Sequence, residues 1–383
     1  MRPLCLATVL IAVSLQAAQP SPSDPLWDGH ESVAAYAQRA HLETEKTIDL
    51  GGGVKMELVL IPAGQFFMGT PEPNKPEITV LSAQVLIGIG VTLALALLAF
   101  LLMRKRTGRR FSFSLRWLLA FSLACSVMVW GGTRWYLALV LNREYVAAVT
   151  RYDAENASEK PGHPVLISKA FYMGKYVVTQ EQYEAVRGGD SSYHKGPKNP
   201  VERMNWDDAN AFCEELNAKF KATLPNGMSL QLPTEAQWEY ACRAGTKTRF
   251  YSGDADSDLD AVAWYKSNSG DKPHPVGGKK TNGFGLYDMH GNIWQWCQDW
   301  YDKDYYNNSP THDPKGPTTG TDRVHRGGCW GAPPVLCRSA LRCGTSPSLT
   351  LRYTNYGFRC ILSPFFSDPQ RLPQSRTHTD KDE

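Results

Sequence analysis

The chain has little excess charge of either sign. Its 383 residues include 41 basic and 38 acidic ones, and the net charge is +3. Proteins that bind nucleic acid need a clustered basic excess, so this balance predicts no nucleic-acid partner. Aromatic residues are plentiful instead, with 11 Trp, 17 Tyr and 14 Phe beside 32 Gly and 25 Pro. This composition predicts a loop-rich globular domain.

Acidic side chains are missing altogether from Ile78 through Arg143. The stretch contains two apolar runs, at about 80–103 and 117–141, and five of the seven residues 104–110 between them are basic. A helix of about 20 apolar residues spans the core of a bilayer. The pattern predicts a transmembrane hairpin over residues 78–141, with its basic turn in the cytoplasm and both flanks outside. The alternative is a buried helical pair, although such a pair rarely lacks a polar face over this length.

The N-terminus agrees with this orientation. Arg2 precedes a short apolar run from Leu4 to Leu15, and small residues follow at Ala17 and Ala18. The pattern is typical of a signal peptide over residues 1–18, with a short uncleaved anchor as the alternative. We therefore expect a membrane protein whose main domain lies on the extracytoplasmic side.

Motifs for several common catalytic chemistries are absent. The sequence has no Gly-rich phosphate-binding loop, no kinase catalytic loop and no Ser-His-Asp elbow.

The three clearest helix starts are Thr179, Asn205 and Thr234. Ser, Thr and Asn cap helix N-termini, and Gln stands three residues after each of the two threonines. The predicted organisation is a signal peptide at 1–18, an N-terminal segment with the first strand at 24–75, the hairpin at 78–141, a linker at 142–162, the main domain at 163–362 and a disordered tail at 363–383.

A series of short motifs resembles the formylglycine-generating enzyme family, also called the sulfatase-modifying factor family. The motifs occur in the order that the family has, and together they cover about 240 residues apart from the hairpin. They are Leu60-Ile61-Pro62-Ala63-Gly64, Phe67-Met68-Gly69, Phe171-Tyr172-Met173-Gly174, Val177-Val178-Thr179-Gln180, Asn199-Pro200-Val201, Trp206, residues 232–239, residues 282–292 with Trp294, Arg326-Gly327-Gly328, Arg338-Ser339 and Gly357-Phe358-Arg359-Cys360.

The resemblance implies an α+β fold, the loop-rich variant of the C-type-lectin fold that this family adopts. The two-helix hairpin is an insertion that the family pattern does not have. It falls where the family has a loop between its first strand segment and the next strand, so its two ends must return close together.

Nine cysteines are present, and seven of them lie in the predicted exported domain, where disulfides are expected. The resemblance implies two disulfides, one between Cys213 and Cys360 and one between Cys242 and Cys343. The remaining three cysteines are Cys297, Cys329 and Cys337.

The resemblance also implies copper chemistry, because oxidase members of the family bind one copper ion through two cysteine thiolates. Soft thiolates select Cu(I). Aligned from Arg326-Gly327-Gly328, the second copper cysteine falls on Cys337, but the first falls on Ala332, and Cys329 stands where the oxidases have serine. Either Cys329 or Cys297 supplies a second thiolate, or Cys297 and Cys337 form a third disulfide and Cys329 is buried. Ala332 makes copper doubtful and leaves Cys337 as the candidate catalytic residue.

A calcium site is the other metal expectation. Asp288 and Asn292 match positions that bind calcium in family members, and Asn268 matches a ligand of a second site. Oxygen donors on a turn suit calcium, although an Asx turn that needs no metal has the same residues. Some relatives of the fold hold iron on a His-x-x-x-His-x-Glu helix, but His30 and His41 stand eleven residues apart here.

Three functions remain open at this stage. The first is an oxidase that converts a cysteine of sulfatase-like substrates to formylglycine, and Ala332 argues against it. The second is a non-oxidising binding or scaffold protein with a protein or peptide partner, such as a sulfatase. The third is a structural membrane protein whose domain is only displayed.

Overall fold

The structure is a computed structural model that describes residues 25–71, 157–222, 224–225, 227–348 and 353–364. The predicted signal peptide, the hairpin, most of the linker and nearly all of the tail lie outside these residues. The chain divides into two units, residues 1–70 with 158–383 and residues 71–157, and all described residues except Pro71 and Ala157 belong to the first. Among the helices of this described part, none has both the length and the apolar character needed to cross a bilayer.

Four α-helices lie within the described ranges. They are α1 (Val33–Ala40), α2 (Gln180–Arg187), α3 (Trp206–Phe220) and α4 (Glu235–Arg243). The predicted caps Thr179, Asn205 and Thr234 are confirmed, and each forms a capping box that satisfies free N–H groups at the helix start. Helix α4 ends at the left-handed C-cap residue Ala244 (φ 44°), and Gly245 (φ 91°) follows it.

The same residues form thirteen short strands. They are β1 (Glu45–Gly51), β2 (Val54–Ile61), β3 (Gly64–Met68), β4 (His163–Ile167), β5 (Phe171–Gly174), β6 (Met228–Gln231), β7 (Ala263–Trp264), β8 (His290–Gly291), β9 (Trp294–Trp300), β10 (Arg323–Arg326), β11 (Cys343–Thr345), β12 (Tyr356–Phe358) and β13 (Ile361–Pro364). Four short 3₁₀ turns supplement them: Ala157–Glu159, Asp256–Leu259, Tyr305–Asn307 and Pro334–Cys337.

The strands form small mixed sheets. A five-stranded antiparallel sheet has the order β1-β2-β5-β13-β6, and a four-stranded sheet has the order β11-β10-β9-β12, in which β12 is parallel to β9. Two strand pairs, β3 with β4 and β7 with β8, complete the set. The alternating sequence of residues 164–178 is typical of a single strand, but it forms two strands, because β4 pairs with β3 whereas β5 pairs with β2 and β13.

The architecture confirms a loop-rich α+β fold. From Tyr251 to Cys360 the described chain has strands and 3₁₀ turns but no α-helix. Pro62 and Ala63 separate β2 from β3, as the turn at this point predicts. The N-terminal strands β1 and β2 share a sheet with β13, the last described strand, so the two ends of the described chain build one core.

Helix α4 is unusual because all nine of its residues are buried. Its Glu235 and Glu239 lie beside buried arginines of the following segments: Arg326 on β10 is 3.0 Å from Glu235 and 2.6 Å from Glu239. Arg342 makes a two-pronged ion pair with Glu235 at 2.7 and 2.8 Å. Burial by itself raises the pKa of Glu239, but the charges of Arg243 and Arg326 outweigh it, so that the pKa is lowered and the carboxylate is ionised.

Candidate functional site

The turn that follows β10 has a backbone that only glycine adopts easily. Gly327 (φ 94°) and Gly328 (φ 77°) are both left-handed. A Cβ atom on Gly328 would lie 2.5 Å from Cys337 Sγ, so the cysteine sulfur packs directly against the main chain of this turn. The two glycines therefore bring Cys329, the next residue, next to Cys337.

Cys329 is 4% exposed and is surrounded by N–H donors. The side-chain amide of Asn355 donates to Cys329 Sγ at 3.6 Å. The backbone N–H groups of Gly331 and Ala332 and the indole of Trp294 lie near the same sulfur, and the Ala332 N–H donates to the carbonyl of Cys329 at 3.0 Å. Burial raises the pKa of the Cys329 thiol, and these donors oppose the rise because they favour the thiolate.

Cys337 closes the 3₁₀ turn Pro334–Cys337 and is completely buried. Burial raises the pKa of its thiol strongly, and the neighbouring charge of an ionised Cys329 raises it further. The backbone N–H of Cys329 lies beside the Cys337 sulfur and opposes this rise, while the N–H of Gly291 donates to the carbonyl of Gly327 at 2.7 Å. The structure thus brings Cys329 and Cys337 together in one core cluster.

Ala332 lies in the same cluster but offers no ligand. It is 4% exposed, and its carbonyl accepts the backbone N–H of Lys266 at 3.0 Å. The copper pair implied by the resemblance is therefore incomplete at position 332. Two thiols are nevertheless present together, and two thiols fit a soft monovalent ion, in which case Cys329 and Cys337 are the residues that would hold it.

Cys297 does not join them. It lies on β9 in a different core cluster, where Trp206 Nε1 donates to its carbonyl at 2.8 Å. The interpretation of Cys297 and Cys337 as a disulfide pair finds no contact in the structure, in which both are free thiols.

No disulfide occurs among the described residues. Cys213 and Cys360 face each other with their sulfur atoms 3.6 Å apart, so the residues of the first predicted pair are brought together as thiols. Cys242 instead contacts the ring of His290 at 3.9 Å, while Cys343 is half-buried on β11. Both disulfide bonds stay predictions.

His290 has a structural role. Its Nε2 accepts the backbone N–H of Tyr251 at 3.1 Å, and its ring donates to the carbonyl of Cys337. Burial lowers the pKa of His290 to about 3, so the imidazole is neutral. Both ring nitrogens are occupied, and the histidine holds the Cys337 backbone in place.

Asp288 and Asn292, the expected calcium ligands, lie together on a turn but do not fit calcium. Asp288 Oδ2 accepts the N–H of Gly277 at 2.9 Å, and Oδ1 faces Asn292 Nδ2 at 3.3 Å. Asn292 Oδ1 accepts the N–H of His274 at 2.9 Å. Calcium needs six to eight oxygen ligands, whereas here N–H groups point at the oxygens that it would use.

Asn268 makes its own separate bonds. Its side chain accepts from Tyr265 N at 2.9 Å and donates to the carbonyl of Ala263 at 3.0 Å. The amide is thus satisfied by backbone groups three and five residues earlier in the chain, whereas an Asx turn would bond the residue two positions later. Across the described ranges, no group of three or more His, Cys, Asp or Glu side chains is placed to hold a metal ion.

Four aromatic side chains lie near residues 327–337, which we call the cysteine turn. Two of them are exposed and two are half-buried, and we call Tyr193, His194, Trp330 and Tyr353 the aromatic rim. Tyr193 is 69% exposed and Tyr353 48% exposed. The ring of His194 lies 5.0 Å from Tyr193 and 6.0 Å from Trp330, the residue after Cys329. The Trp330 indole donates to the carbonyl of Thr354 at 3.1 Å.

A buried carboxylate holds one end of the rim. Glu202 is 0% exposed, and its Oε1 accepts the backbone N–H groups of Tyr193 and His194 at 2.7 and 2.8 Å. His194 Nδ1 lies 3.2 Å from the same oxygen. Glu202 thus fixes the backbone of this loop and the half-buried ring of His194, while the ring of Tyr193 is exposed. Sequence reasoning missed the rim, and no periodicity marks it, because its members come from three separate loops.

Comparison with known proteins agrees with this fold. The family model for the sulfatase-modifying factor enzyme 1-like domain matches residues 123–364, which is more than half of the chain. The chaperone protein LppX of Paenibacillus barcinonensis is 33% identical over an alignment of 204 positions, and the match covers 42% of this chain and 69% of that protein. The formylglycine-generating enzyme of Streptomyces coelicolor is 36% identical over 191 residues, and this match spans 45% of this chain but only 55% of the enzyme.

A solved structure shows the same fold. Treponema denticola variable protein 1 superposes with a TM-score of 0.55 at 24% identity, covering 83% of this chain and 99% of that protein. At this identity the likeness concerns the fold alone.

Proposed function

The chain belongs to the family of the sulfatase-modifying factor enzyme 1-like domain, and from this premise we propose that it is a membrane-anchored, non-oxidising binding protein of that family. The observation that carries the proposal is Ala332. An alanine stands where the copper-binding oxidases have a thiolate, while the fold around it is kept. The Paenibacillus relative is a chaperone protein, which supports a role in binding another protein rather than oxidising it.

The aromatic rim is the surface that we assign to the partner. Tyr, Trp and His side chains present apolar faces with polar edges, and such residues dominate the energetics of protein interfaces. The rim is exposed at Tyr193 and Tyr353 and anchored by Glu202, so it is ordered before a partner binds. Preorganisation of this kind reduces the entropy lost on binding. A protein or peptide partner, such as an extended segment of a sulfatase, fits this surface.

The membrane anchor is the transmembrane hairpin at 78–141, with the domain on the extracytoplasmic side. Its support is the sequence: two apolar runs, no acidic residue from 78 to 143 and a basic turn between the runs. Protease protection of the chain in sealed vesicles tests this orientation.

One peptide probe tests the function. The full-length chain, supplied with Cu(I) and oxygen, is mixed with a fluorescent peptide that carries Cys-x-Pro-x-Arg, and both anisotropy and product mass are read. We expect binding without a mass change. Tyr193→Ala should weaken binding by about 1–2 kcal/mol, that is, roughly tenfold. Phe67→Ala is the matched control, because Phe67 is a 37% exposed aromatic residue on β3, outside the rim.

A divergent copper-dependent oxidase is the second candidate function. The observation that favours it is the position of Cys329 beside Cys337, which restores two thiols to the turn. Conversion of the peptide cysteine to an aldehyde in the same experiment would establish this candidate and remove the first. A peptide that neither binds nor changes would rule out sulfatase-type segments as partners.

A further inference from the structure

The chain leaves the described domain before residue 72 and returns to it after residue 156 at one point of the surface. The backbone N–H of Thr70 donates to the carbonyl of Glu159 at 3.4 Å. The Thr70 hydroxyl also donates to the Glu159 carboxylate, which is 0% exposed and forms an ion pair with the buried Arg338. The two chain ends are therefore held side by side.

A second buried ion pair holds Gly69, the residue before Thr70. The N–H of Gly69 donates to Glu239 Oε1 at 2.9 Å, and its carbonyl accepts from Arg243 Nη2 at 2.9 Å. Glu239 and Arg243 are themselves paired on α4 at 2.9 Å. Removing a partner from a buried pair is costly. The core thus fixes the place at which the chain leaves the domain.

The strand pair β3–β4 has a largely apolar outer face. Side chains alternate between the two faces of a strand, and the register pairs Phe67 with Pro164 and Gln65 with Leu166. We call these four residues the root face. Gln65, Phe67 and Pro164 are exposed and Leu166 is half-buried. Three of the four side chains on this face are therefore apolar and reach solvent.

Phe67 brings the root face next to the chain ends. A Cβ atom on Gly162 would lie 2.4 Å from Phe67 Cε1 and 2.9 Å from the carbonyl oxygen of Thr70. The ring and the chain exit therefore share one spot of the surface. The Phe67 side chain is 37% exposed there. Amphipathic surfaces that lie on a membrane place such aromatic side chains in the boundary between lipid and water.

The charged residues around β4 favour an anionic surface. Residues 309–316 run beside β4, and together with residues 163–170 they contain the exposed Lys169 and Lys315. Their one carboxylate, Asp313, accepts the backbone N–H that follows β4 at 2.9 Å. Lysines near an anionic bilayer are attracted to its surface.

From these observations we propose that the root face rests on a bilayer surface that contains anionic lipid. The inference rests on the proposed membrane anchor. The predicted hairpin begins at residue 78, and the seven residues from 71 to 77 reach at most about 25 Å. Because the chain ends are fixed in the domain, this short connection brings the root face to the bilayer. Phe67 enters the boundary region, and the two lysines meet the lipid phosphates.

Photo-crosslinking in vesicles tests this contact. The full-length chain, with benzoylphenylalanine in place of Phe67, is reconstituted in vesicles of phosphatidylcholine and phosphatidylglycerol, illuminated and analysed by mass. We expect lipid adducts at position 67, and also at position 164 in a second variant. Both positions are at the surface, so the variants are expected to fold. Position 193 on the aromatic rim is the matched control, since Tyr193 is 69% exposed, and it should give no more adduct than a sample kept in the dark.

Replacing the lysines tests the part played by anionic lipid. Lys169→Gln and Lys315→Gln should each weaken docking of the root face by about fivefold, read as a lower adduct yield at position 67. Vesicles of phosphatidylcholine alone should lower the yield of the unmodified surface in the same direction. Lys280→Gln is the control, because Lys280 is exposed on a loop outside both segments, and it should leave the yield unchanged.

The failure of this proposal can be told apart from that of the proposed function. If positions 67 and 164 give no more adduct than position 193 in a chain that stays with the vesicles at high pH, the docking proposal is overturned and the anchor stands. If high pH extracts the chain from the vesicles, the anchor is refuted and the docking proposal with it. Peptide binding is read separately by anisotropy, so neither outcome decides it.

Discussion

Two turns of this domain lie where the sequence predicted metal sites, and they differ in how their polar groups are satisfied. In the Asp288–Asn292 turn, carboxylate and amide oxygens accept N–H groups of Gly277 and His274, so the turn is complete without an ion. In the Cys329–Cys337 turn, both sulfurs are buried, and the side-chain amide of Asn355 donates to Cys329 Sγ at 3.6 Å. One turn is therefore held by N–H groups on carboxylate and amide oxygens, whereas the other is filled by two packed thiols.

The largest expected effect comes from removing the arginine that holds the cysteine turn. Arg326 pairs with Glu235 and Glu239 and donates to the carbonyls of Ser339 and Leu341 at 3.1 and 2.9 Å. Arg326→Met leaves two buried carboxylates with less compensation and should cost about 3–5 kcal/mol of stability. Urea unfolding measures the loss.

The control for this substitution is Arg249→Met. Arg249 makes an exposed pair with Asp256, and exposed pairs contribute about 0–1 kcal/mol. If both variants lost the same amount, the buried network would not be what holds the turn.

A smaller effect is expected from Gly328→Ala. Alanine at this left-handed position is strained, and its Cβ would lie 2.5 Å from Cys337 Sγ. We expect a loss of about 1–3 kcal/mol in thermal or urea unfolding, because the sulfur must move. Gly331→Ala, in the same turn but facing open space, should leave the stability unchanged. Equal effects of the two alanines would show that the sulfur does not pack against Gly328.

The smallest expected effect is at the Asp288–Asn292 turn and concerns how stability changes with pH. Burial raises the pKa of Asp288 above its ordinary value of 3.8, so its contribution to stability is complete below that value and is lost as the pH rises through the raised pKa. The free energy of unfolding of the unmodified chain should therefore decrease as the pH rises from 4 to 8. In Asp288→Asn this decrease should be smaller, because asparagine does not titrate.

Calcium binding at this turn would reverse the expected dependence of stability on pH. A bound calcium ion would hold Asp288 ionised, so that stability would increase with pH and with calcium concentration. We expect no change in the melting temperature on addition of calcium or of a chelator. A calcium-dependent increase would show that the Asp288 turn rearranges to bind the ion.

Local signals in the sequence predicted the secondary structure well where it depends on neighbours in the chain. Thr179, Asn205 and Thr234 cap helices because a cap needs only the next few residues. The residues 164–178 were less predictable, since whether they form one strand or two depends on which strands they pair with. The buried charges of α4 were also missed, because their arginine partners lie about 90 to 110 residues away.

By itself the sequence determined the family, the order of its motifs, the helix caps and the absence of a thiol at position 332. Only the tertiary structure decided which cysteine accompanies Cys337, because that depends on two left-handed glycines bringing Cys329 against its sulfur. It also decided that Asp288 and Asn292 are satisfied by N–H groups of Gly277 and His274. The motifs give only the residue types along the chain. Whether an atom is available to a ligand depends on the hydrogen-bond donors that folding places around it.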